Sequence, residues 1–288
     1  MNCVQLSTHT MATRFELVLY GNNRSRLRAA GEEALGEIER LAAQLSFYAP
    51  DSEIHHLNTH AAITPVRVNP RLFSLLKSCA ELTKKTDGTF DVTIGPLMRA
   101  WRFVNEKGAL PTEEEIAQAL SQTGMKHVLF DEETCSVQFD HPGIEIELGG
   151  YGKGYAIERA LESLRENGVT NALLHGGTSS IATIGSPPND AHWKIALHPP
   201  LAGTMNLKND AMSVSAVHGK SFIVDGRVYG HVLNPKNGWP VNGAQAAVVQ
   251  GISASVCEAL STALLVKGAD WLPQLAEYFP GYVGLVAS

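Results

Sequence analysis

Glu147-Leu148-Gly149-Gly150-Tyr151-Gly152-Lys153-Gly154-Tyr155 sets four glycines and a lysine between an alternating apolar run at 144–148 and a helical pattern reaching Glu166. The run ahead of it reads as a strand and the stretch after it as a helix, with Ala156, Ala160, Leu161 and Leu164 on one face and Gly168 closing it. Glycine in such a turn lets backbone approach a ligand closely, and the helix start that follows favours an anion. The spacing is neither a P-loop nor a dinucleotide fingerprint. By itself it is equally a strand-to-helix turn with a solvated lysine.

Working outward, Phe15, Leu17 and Leu19 alternate with Glu16, Val18 and Tyr20 as a strand before Asn22-Asn23 turns the chain. Leu27, Ala34, Leu35, Ile38, Leu41, Ala42 and Leu45 keep helical spacing. Asn69-Pro70 signals the cap and first turn of a second helix, which should stop near Asp87-Gly88, and Thr112 with Glu115 forms a capping-box pattern for a short third. Strands are expected at 127–130, 136–139, 144–148, 171–175, 193–198, 211–217, 221–224 and 245–252. A helix pair around 255–278 and a strand near 281–287 follow. Strands outnumber helices without a β-α-β alternation, so the expected class is α+β, with mixed or antiparallel sheets and packed helices. No linker or repeat divides residues 1–288, which read as one compact unit.

Composition narrows the function. With 23 Lys+Arg against 29 Asp+Glu the formal charge is -6, the wrong sign for a sequence-independent nucleic-acid footprint. Cys3, Cys79, Cys135 and Cys257 form no C-x-x-C pair, so neither a zinc site built on them nor a disulfide framework is expected. Polar residues interrupt the first twenty positions and no apolar run is long enough to span a bilayer. No leader or membrane anchor is expected, and the cytoplasm is the expected compartment.

Three further constellations carry chemistry. His175-Gly176-Gly177-Thr178 follows the apolar run Ala172-Leu173-Leu174, which places a glycine pair at a strand end, either a ligand cradle or a tight turn. In His231-Val232-Leu233-Asn234-Pro235-Lys236-Asn237-Gly238 a histidine sits in a turn-rich loop, where it can serve as a general base near neutral pH, although it is one of 11. Glu258 and Thr262 fall four apart on a helix, hence on one face. Both offer oxygen to a hard cation such as Mg²⁺; alternatively Thr262 bonds its own helix backbone and Glu258 is solvated.

Taken in order, these segments resemble the FAD:protein FMN transferase family, also called the ApbE family. Met11-Ala12-Thr13 is similar to its early Met-Gly-Thr. Ser46 to Glu53 with Asn58 is similar to its Ser-x-Tyr-x-x-x-Ser-Glu stretch. Thr86 to Leu97, containing Gly88-Thr89-Phe90-Asp91-Val92-Thr93, with Trp101, is similar to its most specific signature, Gly-x-Phe-Asp-x-Thr. The glycine-lysine turn, the glycine pair, the histidine loop and the Glu258 helix follow in the family's order, so the resemblance spans about residues 8 to 288.

The resemblance implies an ApbE-like (T-fold-like) fold and Mg²⁺-dependent transfer of FMN from FAD to a Thr or Ser hydroxyl of a target flavoprotein, with AMP released. It implies that Met11, Tyr48, Thr89, Phe90, Asp91, Glu147, Lys153 and Leu233 line the FAD site. Gly150 through its carbonyl, Glu258 and Thr262 would hold the metal, and His231 would be the catalytic base. The chain departs from the family pattern at Glu258, which is aspartate there, and at Thr178, His218 and Asn234, which stand for Asp, Ser and Asp. Two other outcomes share these residues: Mg²⁺-dependent hydrolysis of FAD to FMN and AMP, and flavin binding without catalysis.

Overall fold

The computed structural model describes residues 1–104, 108–217 and 221–287, so His218 and Gly219 lie outside the described residues. The first half contains β1 (Asn2–Thr10), β2 (Thr13–Gly21), α1 (Arg24–Gln44), α2 (Glu53–His60), β3 (Val66–Arg67), α3 (Pro70–Lys85), α4 (Gly95–Ala100) and α5 (Glu113–Ser121). The middle contains β4 (Val128–Asp131), β5 (Ser136–Phe139), α6 (Gly152–Glu166), β6 (Asn171–Gly176), β7 (Ser180–Ile184), β8 (Trp193–Ala196) and β9 (Thr204–Leu207). The remainder is β10 (Ala211–Ala216), β11 (Ser221–Val224), β12 (Arg227–Gly230), β13 (Ala246–Gly251), α7 (Ala254–Lys267), α8 (Leu272–Tyr278) and β14 (Val283–Ala287).

Seven strands form one sheet in the order β1-β2-β6-β7-β10-β13-β14, every neighbouring pair antiparallel. Its period-2 pattern explains both faces. Phe15, Leu17 and Leu19 of β2 are fully buried in the core that also takes α1, α6 and α7. Burying each such side chain contributes about 1.5–3 kcal/mol. The alternate residues Val18 and Tyr20 pack on the opposite face with Trp193 and Leu207 of the β8-β9 hairpin. The class is α+β, as expected.

The small sheet β3-β5-β4 holds two of the expected strands, but residues 144–148 join no sheet. Their alternation is real, since Ile144, Ile146 and Leu148 are buried. The backbone partners are different. The Asn58 amide donates to Ile146 O and its Oδ1 accepts from Ile146 N, at 2.9 and 2.8 Å, while Glu147 N donates to Val92 O at 2.7 Å. A side-chain amide thus takes the place of a neighbouring strand, satisfying backbone groups that burial would otherwise leave unpaired.

A separate cluster of Leu97, Trp101, Phe103, Ile116 and Leu233 joins α4 and α5 to the loop at 231–238. Buried Trp101 donates its indole N–H to Gly238 O at 2.7 Å, fastening that loop.

Helices α6 and α7 meet at their N-terminal turns, where Gly154 lies against α7. A β-carbon at residue 154 would stand 2.4 Å from Ala254 O and 2.7 Å from the Ser255 Cα, both backbone atoms. Gly154→Ala must therefore push the two helices apart. The expected destabilisation is about 1–3 kcal/mol, typical of overpacking, visible as a lower urea midpoint; an unchanged midpoint would mean the contact is loose.

Candidate active site

The two helices carry carboxylates that serve each other's ends. Glu258 of α7 is buried, with one oxygen accepting from Gly154 N at 2.6 Å in the first turn of α6 and the other paired with the Lys153 ammonium. Glu158 of α6 accepts from Ser255 N and Ser255 Oγ, at 3.1 and 2.8 Å, and from Ser253 Oγ at the start of α7. Each helix so receives a negative charge at its positive end and fills donors that have no intrahelical partner. The anion that the glycine-lysine turn favours is, within this chain, Glu258.

The alternative reading of the Glu258–Thr262 pair, a helix-backbone bond and a solvated carboxylate, is half met. Thr262 Oγ1 does donate to its own helix, to Glu258 O at 3.0 Å, but Glu258 is not solvated. Thr262 also lies 3.2 Å from Ser215 Oγ of β10, itself 2.8 Å from Ser261 Oγ. Gly150 faces the same hydroxyl: a β-carbon built there would sit 3.6 Å from Thr262 Oγ1. A backbone-exposing glycine, a hydroxyl and a carboxylate are therefore assembled where α6 begins.

This cluster opens into a cavity of about 490 Å³ lined by Tyr48, Thr89, Phe90, Asp91, Glu147, Gly150, Lys153, His231, Leu233, Glu258 and Thr262, among others. Residues separated by more than two hundred positions are thus brought together. Met11 is the sequence-selected residue that does not line it. Met11 and Ala12 form the β1-β2 turn with φ of 48° and 56°, next to the strand that pairs with β6, whose following residues Thr178 and Ser179 do reach the cavity. A larger cavity of about 700 Å³ on another face of α6 contains none of the sequence-selected residues.

Several lining residues are held by their own loop. Glu147 Oε1 accepts from Gly149 N at 2.9 Å, and Lys153 Nζ donates to Gly149 O at 3.1 Å. Thr89 Oγ1 donates to Thr86 O at 2.8 Å. Asp91 Oδ1 accepts from Thr93 N and Thr93 Oγ1, at 2.8 and 2.6 Å, and Oδ2 accepts from Met125 N at 3.1 Å. Burial pushes the Asp91 carboxyl above its usual range, against the opposing pull of those three bonds. Tyr48 stands half-exposed at the rim; burial of its ring and then the Glu147 charge raise its phenol, with Arg99 opposing.

Asp91→Asn illustrates what the clamp demands. An amide keeps one acceptor for Thr93 but turns its NH₂ toward Met125 N, donor against donor. The expected loss is about 1–3 kcal/mol at neutral pH. Because the folded state holds the Asp91 proton more tightly than the unfolded chain, this residue favours folding below the ordinary aspartate range and ceases to as pH rises through its raised value. Urea titrations across acidic pH should show that slope in the parent and a flatter one in the variant.

The hydroxyls of β10 escaped the sequence reading. Ser213 lines the cavity, is 1% exposed, and its hydroxyl has no partner among the described residues. Ser213 and Ser215 alternate with Met212 and Val214, so a polar face on an otherwise apolar strand was the available signal. Ile94, Met98 and Phe103 add an apolar wall.

Comparison with known proteins finds relatives by sequence and by fold. The chain matches the model of the ApbE family over residues 11–285. It is 28% identical over 249 residues to the FAD:protein FMN transferase of Vibrio cholerae, covering 83% of this chain and 74% of that one, and 27% identical over 291 residues to that of Haemophilus influenzae, covering 95% and 83%. A Klebsiella pneumoniae FAD:protein FMN transferase is 29% identical over 211 residues, 71% of this chain and 65% of its own length, so the chain spans just under two thirds of that relative. The crystal structure of the ApbE protein from Thermotoga maritima superposes with a TM-score of 0.90 at 30% identity, covering 99% of this chain and 94% of that one. The apo flavinyl transferase ApbE of Pseudomonas stutzeri shares the fold, with a TM-score of 0.86 at 24% identity and coverage of 100% and 95%. By the match of its sequence along nearly its whole length, the chain belongs to the ApbE family.

Proposed function

We propose that the protein is a FAD:protein FMN transferase that moves FMN from FAD onto a Thr or Ser hydroxyl of a target flavoprotein. The observation that carries this reading is the meeting of Gly150, Glu258 and Thr262 beside Lys153 at the floor of the cavity containing His231. The donors are all oxygens, which suits Mg²⁺. Gly150 O, Glu258 and Thr262 would hold the ion, which when bound neutralises pyrophosphate charge. Lys153 would turn toward the phosphates once the carboxylate engages a cation.

The acceptor hydroxyl oxygen attacks the FMN-side phosphorus, the bond to the bridging oxygen breaks, and AMP leaves with that oxygen. His231 takes the hydroxyl proton. Tyr48, Thr89, Phe90, Asp91, Glu147 and Leu233 shape the flavin and nucleotide walls, and Met11 would act from the neighbouring turn. We place the reaction in the cytoplasm, where thiols such as Cys3, Cys79, Cys135 and Cys257, all unpaired, stay reduced. Among the described residues no helix is long and apolar enough to cross a membrane. We treat residues 1–288 as a single transferase domain, because the cavity draws on elements from Tyr48 to Thr262.

Co-expression with flavoproteins of the same cell, followed by intact mass spectrometry, tests the proposal. The expected product is an acceptor heavier by FMN less one water, at a Thr or Ser. AMP and FMN released from FAD and Mg²⁺ with no labelled acceptor would make the protein a hydrolase. Tight FAD binding with no AMP would make it a flavin carrier.

A further inference from the structure

Away from that cavity, His127, Asp140 and His141 converge where the β4-β5 hairpin opens. Asp140 N donates to His127 O at 3.1 Å, so the hairpin pairing fixes both backbones. His127 Nδ1 lies 3.0 Å from Asp140 Oδ2, and His141 Nδ1 lies 2.5 Å from Asp140 Oδ1. One donor atom of each residue falls within 4.8 Å of the others.

The hydrogen inventory of His141 shows what this cluster lacks. Its Nε2 is 3.1 Å from the carbonyl oxygen of Ser121, the last residue of α5. A carbonyl only accepts, so Nε2 carries the hydrogen. In neutral imidazole Nδ1 is then a lone pair, and it points at a carboxylate oxygen 2.5 Å away. Acceptor faces acceptor, and only a cation resolves the contact. An imidazole that donates one N–H to a backbone carbonyl while presenting its other nitrogen beside a carboxylate is arranged as a metal-bound histidine is.

We propose that His127, Asp140 and His141 form a site for a zinc-class divalent ion. Two imidazole nitrogens and a carboxylate suit Zn²⁺ rather than Mg²⁺, and the His141–Asp140 contact would open to the roughly 3.3 Å that bonds of about 2.0 Å and a tetrahedral angle set, with water as the fourth ligand. The ion would pin the β4-β5 hairpin to the end of α5. That junction includes Met125, whose N–H holds Asp91 on the cavity wall, so zinc would stiffen that wall of the cavity without entering it.

The test titrates metal-free full-length protein with ZnCl₂ by calorimetry in excess Mg²⁺, and follows the thermal midpoint in parallel. The expected result is one equivalent of zinc per chain and a higher midpoint, with His141→Ala and His127→Ala each weakening binding at least tenfold. His141→Gln serves if the alanine variant fails to fold. Another histidine pair, His56 and His60 on α2 with ring centroids 4.3 Å apart, provides the control. Zinc binding that survives both His141 variants, or that is lost in His56→Ala, would overturn the assignment. So would the absence of binding, which would leave a proton as the cation on Nδ1.

Discussion

Glu258→Ala is expected to lower folding stability by about 3 kcal/mol, the lower part of the range for breaking a buried ion pair. The lower part applies because the Lys153 side chain is 22% exposed and can turn toward water once its partner is gone, whereas Gly154 N keeps no acceptor. Transfer should fall by roughly 10²-fold or more, because the same carboxylate is the charged member of the proposed cation site. Glu258→Gln separates the two effects. It keeps an oxygen for Gly154 N but no charge for metal, so it should recover much of the stability and little of the transfer. Glu258→Asp keeps the charge on a shorter arm, and should retain transfer better than glutamine does. Chemical denaturation and acceptor labelling, run side by side, read both. Equal loss of transfer and stability across all three variants would remove the carboxylate from the chemistry and leave it a helix cap.

His231→Ala is the second large effect. Removing a general base costs about 10²–10⁴-fold in rate, and here the loss should fall on transfer while FAD binding, read by flavin fluorescence, stays within a few fold. The loop keeps two anchors that the substitution does not touch: Trp101 holds Gly238, and Leu233 is buried with Leu97 and Ile116. A variant that transfers FMN at the parental rate would hand the proton to another group.

The parts of the fold that were legible in the sequence are those where a local signal and burial agree. Helix α6 begins and ends where the glycine-lysine turn and Gly168 place it, and the Thr112–Glu115 capping box is formed reciprocally. Strand β1 was missed because its alternation is nearly all polar at the sheet edge, with Val4 alone buried. The β11-β12 hairpin was half read, although Asp225-Gly226, with φ of 50° and 75°, is a two-residue turn of the kind that joins such strands. The segment 144–148 misled because periodicity reports burial and says nothing of who pairs with the backbone.

The site shows the same division. Spacing along α7 put Glu258 and Thr262 on one face, and the structure sets Thr262 beside Gly150 and both side chains on one cavity. Spacing alone does not show that Glu258 answers the lysine of the glycine-lysine turn, since those residues are 105 positions apart. The role of Asn58 as stand-in for a strand is likewise a tertiary fact with no local signature.

The mutual capping of α6 and α7 limits how members of this family could be recombined. A chimera that imports α7 alone with a shorter acid at position 258 would leave the first turn of α6 short of its acceptor, while exchanging 147–166 and 251–267 as one cassette would conserve both contacts. For the same reason the floor beneath the cavity should behave as an anvil, and any adjustment to different acceptor proteins must come from the loops around it.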